Sequence, residues 1–150
     1  MLFVRFNLSL FHGEADWDSS AHGVATLLRS SVAINERYIR DNPDCPSPFE
    51  RDEYGKLKIR YLVAHAMEKV ETFRSIPEII TAGGSDCDGL VPFVVAWRRV
   101  RENDPGADIF IQWKRGLQPG TLKYHVLEVD GRGQVADPCR LFGMGKSKES

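Results

Sequence analysis

The chain has 150 residues, 42% hydrophobic and 27% charged, with a formal net charge of -1. That length suits one domain with its own core, and the near-neutral balance disfavours a nucleic-acid or anionic-membrane partner. No stretch approaches the roughly 20 apolar residues of a membrane span. Three cysteines do not complete a disulfide framework, so a reducing compartment is the simpler expectation.

The N-terminal run from Phe3 to Phe11 alternates with period two and predicts a half-buried strand. It lacks a basic leader and a small-residue cleavage site, which argues against a signal peptide. A polar break at 16–20 precedes a helical rhythm through Val24, Leu27, Leu28, Ser31, Ile34 and Tyr38 that Asn42-Pro43 stops. His12 and His22 are read as flanking a polar turn, as a solvated loop rather than a metal site. A loop over 42–47 follows, with Cys45 incidental. A second helix is predicted from about Glu53 to Phe73, with Leu57, Tyr61, Leu62, His65, Met67, Val70 and Phe73 mostly on one face.

Ile76 to Ile80 predicts a short turn before a Gly83-Gly84 hinge. Cys87 then opens the most apolar helical stretch, Leu90 to Val100, read as a buried central helix. Pro92 inside it predicts a kink or a later start. Arg98, Arg99 and Arg101 are expected to return that helix to water, and Asn103 to Gly106 ends it.

The pattern then changes to strands. Residues 107–114 alternate, with Ile109, Ile111 and Trp113 on one face. A loop at 116–120 and a strand over 122–130 follow. Asp130-Gly131-Arg132-Gly133 is a hairpin signal, and 134–137 forms a short third strand. The fold class is α+β: N-terminal helices, with a central Cys-bearing helix packed on a small antiparallel sheet. One domain is expected, divided into 1–75, a core over 76–144 and a frayed tail over 145–150.

Three residues carry chemistry. Cys87 sits at a small-residue turn entering a helix, where unpaired N–H groups and the dipole favour thiolate. The alternative is a core cysteine, but Asp86, Asp88 and three glycines make that an unusual setting. His125 shares a strand face with Leu127 and Val129 and is a structural histidine or a base. Asp137 caps a turn before Pro138 or orients the imidazole. A hairpin centred on Gly131 would set His125 directly across from Asp137. Together the three suggest a nucleophile, base and orienting carboxylate. Gln112 and Trp113, with backbone N–H groups near Cys87, are candidate oxyanion donors. Cys139 suggests a competing redox pair with Cys87.

The segments Gly84-Ser85-Asp86-Cys87-Asp88-Gly89-Leu90, Tyr124-His125-Val126-Leu127-Glu128-Val129 and Val135-Ala136-Asp137-Pro138 resemble the core of transglutaminase-like cysteine enzymes in the papain-like superfamily. Ser85 stands where that pattern usually has glycine, and Gly89 where it often has an acidic residue. Phe142-Gly143-Met144 resembles small members encoded by tailed bacteriophages. The resemblance spans roughly residues 76 to 144. It implies Cys87 as nucleophile, His125 as general base and acid, and Asp137 as the orienting residue. It further implies a cysteine peptidase or amidase acting on protein or peptide substrate without a cofactor, in host cytoplasm or a virion. A non-catalytic virion or assembly protein on the same fold, contacting other virion proteins, is the alternative.

Overall fold

The structure, a computed structural model, describes residues 17–62, 73–115 and 122–145. The predicted strand over 3–11, His12, His65 and most of the tail lie outside those residues. The described elements are α1 (Trp17–Asp41), β1 (Arg60–Tyr61), α2 (Ile76–Ala82), β2 (Gly84–Ser85), α3 (Cys87–Arg101), β3 (Asp108–Arg115), β4 (Leu122–Val129), β5 (Val135–Ala136) and α4 (Pro138–Leu141). The fold is mixed α+β: helices flank a three-stranded antiparallel sheet of order β3-β4-β5 and a two-stranded parallel pair, β1-β2.

Helix α1 buries Val24, Leu28, Val32, Asn35 and Ile39, a stripe at helical spacing. Ile34, predicted on that face, is 54% exposed. The helix starts at Trp17, so His22 is an exposed helical residue rather than part of a polar loop. Helix α3 is central: every residue from Asp88 to Ala96 is buried. Each fully buried Val, Leu or Phe there contributes roughly 1.5–3 kcal/mol by leaving water. Pro92 is accommodated inside α3, and the helix still begins at Cys87.

The predicted helix over 53–73 is not formed in its described part. Asp52 Oδ1 accepts from Tyr54 N at 2.8 Å and Lys56 N at 2.9 Å. Gly55 adopts φ 75, and Arg51 bridges to Leu57. A side chain that satisfies nearby backbone donors offers the chain a turn in place of a helix. The backbone beyond it pairs at long range: Arg60 N donates to Gly83 O and Leu62 N to Ser85 O. Gly84 allows this approach, because a Cβ there would collide with Arg60 O.

Arg98, Arg99 and Arg101 do not simply return α3 to solvent. Arg98 pairs with Glu128 at 2.8 Å and Glu102 at 2.7 Å. Arg99 Nε donates to Ala107 O, and Arg101 donates to Ile39 O. These guanidinium groups clamp α3 to α1 and to the sheet.

Candidate active site

The turn into α3 is tightly built. Gly83, at φ 77, closes α2 by donating to Ile79 O and Ile80 O. The chain then extends through β2, and Asp86 caps α3 with its carbonyl accepting from Leu90 N. Ser85 is buried, and a Cβ on Gly89 would collide with the Ser85 side chain. Ser85 and Gly89 are therefore complementary: the hydroxymethyl fills the space that the glycine vacates. Cys87, half-buried, is the first residue of the helix. Its Sγ lies 3.8 Å from Asp88 Oδ1. Asp88 is buried, and its Oδ2 accepts from the Tyr124 hydroxyl at 3.0 Å.

His125 and Asp137 are brought together, with Nε2 and Oδ2 2.9 Å apart. The route differs from the predicted register. Glu128 pairs with Ala136 and Val129 with Val135, which centres the hairpin on Arg132 rather than Gly131. Asp130 N donates to Gln134 O, Gly133 N donates to Asp130 O, and Gly133 has φ 84. The loop thus has three residues, 131–133, with a left-handed glycine in the third. Continuing the ladder by one step sets Asp137 across from Leu127, so it reaches His125 on the diagonal within the same face.

Both readings of Asp137 hold at once. Oδ1 accepts from Cys139 N at 3.1 Å and caps α4, while Oδ2 faces the imidazole. A carboxylate beside Nε2 is an acceptor, so it holds the proton on Nε2 and leaves Nδ1 as the basic nitrogen.

The alternation of β4 decides what else shares the site. Tyr124, Val126 and Glu128 face inward with Ile109, Ile111 and Trp113, against α3. His125 and Leu127 face outward with Gln112 and the 46% exposed Phe110. The two oxyanion candidates are therefore separated. Gln112 is the cross-strand partner of His125 and lines the same groove of about 400 Å³, with Lys114, Asp137, Arg140 and Met144. Trp113 packs on Tyr124 on the inner side, ring centres 5.3 Å apart. Cys87 lies at the end of the helix covering that inner face, outside the groove lining.

Behind the thiol sit two groups with suppressed acidity. Cys139 is a buried free thiol, and burial pushes its pKa up, with neighbouring Cys87 and Asp137 adding to the effect. Tyr61 is pushed up to about 12, chiefly by burial, then by Cys87 and Cys139. Sequence reasoning missed Tyr61 by placing it on a helix; the turn signal Asp52 to Gly55 was the available clue. It reaches the site because β1 pairs Tyr61 with Ser85, two residues before Cys87. Cys45 is also a free buried thiol, and burial raises its pKa. Among the described residues, no cluster of three metal-ligating side chains occurs and no helix is long and apolar enough to cross a membrane. Comparison of the chain with protein-family models, with curated proteins and with solved structures returns no match, so the site stands on its own geometry.

Proposed function

We propose that the chain is a thiol-dependent acyl-transfer enzyme, a cysteine peptidase or amidase with Cys87 as nucleophile, His125 as base and acid, and Asp137 as the orienting residue. The observation that carries this reading is the 2.9 Å pairing of His125 Nε2 with Asp137, which leaves Nδ1 as the proton acceptor. In the first half-reaction the thiol proton passes to Nδ1 and sulfur bonds to the carbonyl carbon. The imidazolium then protonates the leaving nitrogen, the C–N bond breaks and a thioester remains. Water, deprotonated by His125, attacks the thioester; the C–S bond breaks and the proton returns to sulfur. Gln112, the cross-strand partner of His125, is assigned as donor to the developing oxyanion.

The test is the pH dependence of iodoacetamide labelling. Cys87 should react at about pH 6 to 7, and Cys87→Ala should remove that reaction. His125→Ala should move it up by about 1 pH unit or more, because the thiol loses the imidazole proposed to take its proton. Labelling of Cys87 only above about pH 8.5, as for an unperturbed thiol, sinks the reading.

A second reading has its own observation. His125 points to the outer face of the sheet, whereas α3, which carries Cys87, covers the inner face. A structural or assembly protein that keeps the His–Asp pair for stability, without chemistry, has no need for the thiol to reach the imidazole. Labelling that is identical in wild type and His125→Ala is the result this reading expects.

A further inference from the structure

The groove beside His125 carries more positive charge than the proposed acyl transfer uses. Lys114 and Lys123 are direct cross-strand partners on the outer face, and both are exposed. Like charges set opposite each other on a ladder are destabilising. Among the described residues neither lysine enters an ion pair. On the other side of His125 stands Arg140, its side chain 76% exposed, with Nε 3.5 Å from Asp137 Oδ2. A guanidinium has five N–H donors, so that one contact leaves most of its donors open to solvent at the groove lining. Leu127, Val135 and Met144 line the same groove.

The single acidic side chain in the groove lining, Asp137, is already engaged by His125, Arg140 and the Cys139 N–H. The groove therefore carries two cations, Lys114 and Arg140, beside apolar side chains, with Lys123 across from Lys114. That pattern fits a chain with carboxylates on short aliphatic stems. It suits a nucleic acid poorly: affinity for a phosphate backbone grows with the number of phosphates neutralised. The protein as a whole is at -1, and Arg98, Arg99 and Arg101 are committed to internal clamps.

We propose that this groove binds a glutamate- or aspartate-rich peptide, one carboxylate held between Lys114 and Lys123 and another by Arg140, with the intervening backbone passing His125. As a statement about substrate, this rests on His125 being the catalytic base; as a statement about binding, it does not.

The experiment titrates full-length Cys87→Ala protein with hexaglutamate and with hexaserine by calorimetry at low salt. Hexaglutamate should bind about tenfold or more tightly than hexaserine, and its affinity should fall as salt rises. Combined Lys114→Gln, Lys123→Gln and Arg140→Gln should abolish the difference while thermal unfolding stays cooperative. Lys114→Glu alone, an exposed single change, should weaken hexaglutamate by a clear fraction of that factor. Equal affinity for the two peptides, or no response to the substitutions, overturns the proposal. So does a thymidine hexanucleotide that binds more tightly than hexaglutamate. Binding is read without the thiol, so peptide binding together with wild-type Cys87 that labels only above about pH 8.5 would refute only the enzyme reading.

Discussion

The two faces of β4 make opposite use of polar groups. On the inner face Glu128 is buried and doubly bonded to Arg98, at 2.8 and 2.9 Å, and Tyr124 donates to buried Asp88. Those pairs fix α3 against the sheet. On the outer face His125 and Asp137 meet at 2.9 Å, open to a groove and flanked by Gln112, Lys114 and Arg140. The inner pairs hold the fold together, whereas the outer pair sits where a ligand can reach it. Successive residues of one strand thus alternate between a buried structural pair and a pair open to a groove, which is the period-two geometry of a strand.

The largest expected effect breaks the outer face alone. His125→Ala should slow turnover of an activated ester by about 10²–10⁴-fold, the usual worth of a positioned general base. Its unfolding free energy should move by no more than about 1.5 kcal/mol, because Asp137 keeps Arg140 and the Cys139 N–H as partners. Asp137→Asn sharpens the point. The amide oxygen still caps α4, but the acceptor that holds the proton on Nε2 is replaced. Activity should fall while the melting temperature stays; a matched loss of both would make the pair structural.

Next in size is the inner face. Glu128→Ala leaves the Arg98 guanidinium without its bidentate partner. Removing one member of a buried pair typically costs 3–5 kcal/mol. Arg98 keeps Glu102 at 2.7 Å and is 28% exposed, so the expected loss is at the low end, about 3 kcal/mol by urea unfolding. Labelling of Cys87 per folded molecule should be unchanged. If Glu128→Ala instead abolishes labelling without unfolding the protein, the faces do not act separately.

Part of this division was legible in the sequence. The strands over 107–114 and 122–130, the central apolar helix and the turn at 130–133 follow from period and turn chemistry. The His125–Asp137 neighbourhood also follows, although the hairpin closes around Arg132 and not Gly131. Where the three-residue loop begins decides that register, and Asp-Gly-Arg-Gly accommodates a loop over 130–132 or over 131–133. The face covered by α3 was not legible. Leu127 and Val129 make His125's face look apolar, yet Val126 and Glu128 are the buried residues because Arg98 neutralises Glu128 inside. β1 was lost to a predicted helix, because its partner, Gly84–Ser85, is more than 20 residues away, beyond any local pattern. The Ser85–Gly89 fit likewise exists only once the turn is folded.

A smaller effect lies in alkaline pH, at the buried thiol under the site. The pKa of Cys139 is raised in the folded protein above the ordinary thiol value of 9.0, first by burial and then by Cys87. The folded state therefore keeps a proton that the unfolded chain releases. The associated stability is full below about pH 9 and is lost as pH climbs toward the folded pKa. Linkage caps the slope at about 1.4 kcal/mol per pH unit for one group. Cys139→Ala lowers stability at every pH through its cavity, but it should flatten the decline above pH 9. Tyr61, pushed up to about 12, adds a decline of the same sign beginning near pH 10, so the comparison is cleanest between about pH 9 and 10. An unchanged slope in the variant would mean that the unfolded chain ionises Cys139 no more readily than the folded one.

The smallest effect is the most discriminating for the outer face as a surface. Phe110, 46% exposed, stands across from Leu127 at the end of the outer face away from Lys114. If that face is open to ligand rather than packed, Phe110→Ser should change unfolding free energy by no more than about 0.5 kcal/mol, as surface substitutions do. Truncating Val126, one position along β4 from Leu127 and fully buried, should cost several times more, since it opens a cavity against α3. A large destabilisation from Phe110→Ser would show that something covers this ring in solution. The groove beside it would then be an interface already filled, with His125 reachable from one end only, and an extended acidic peptide could not lie along it.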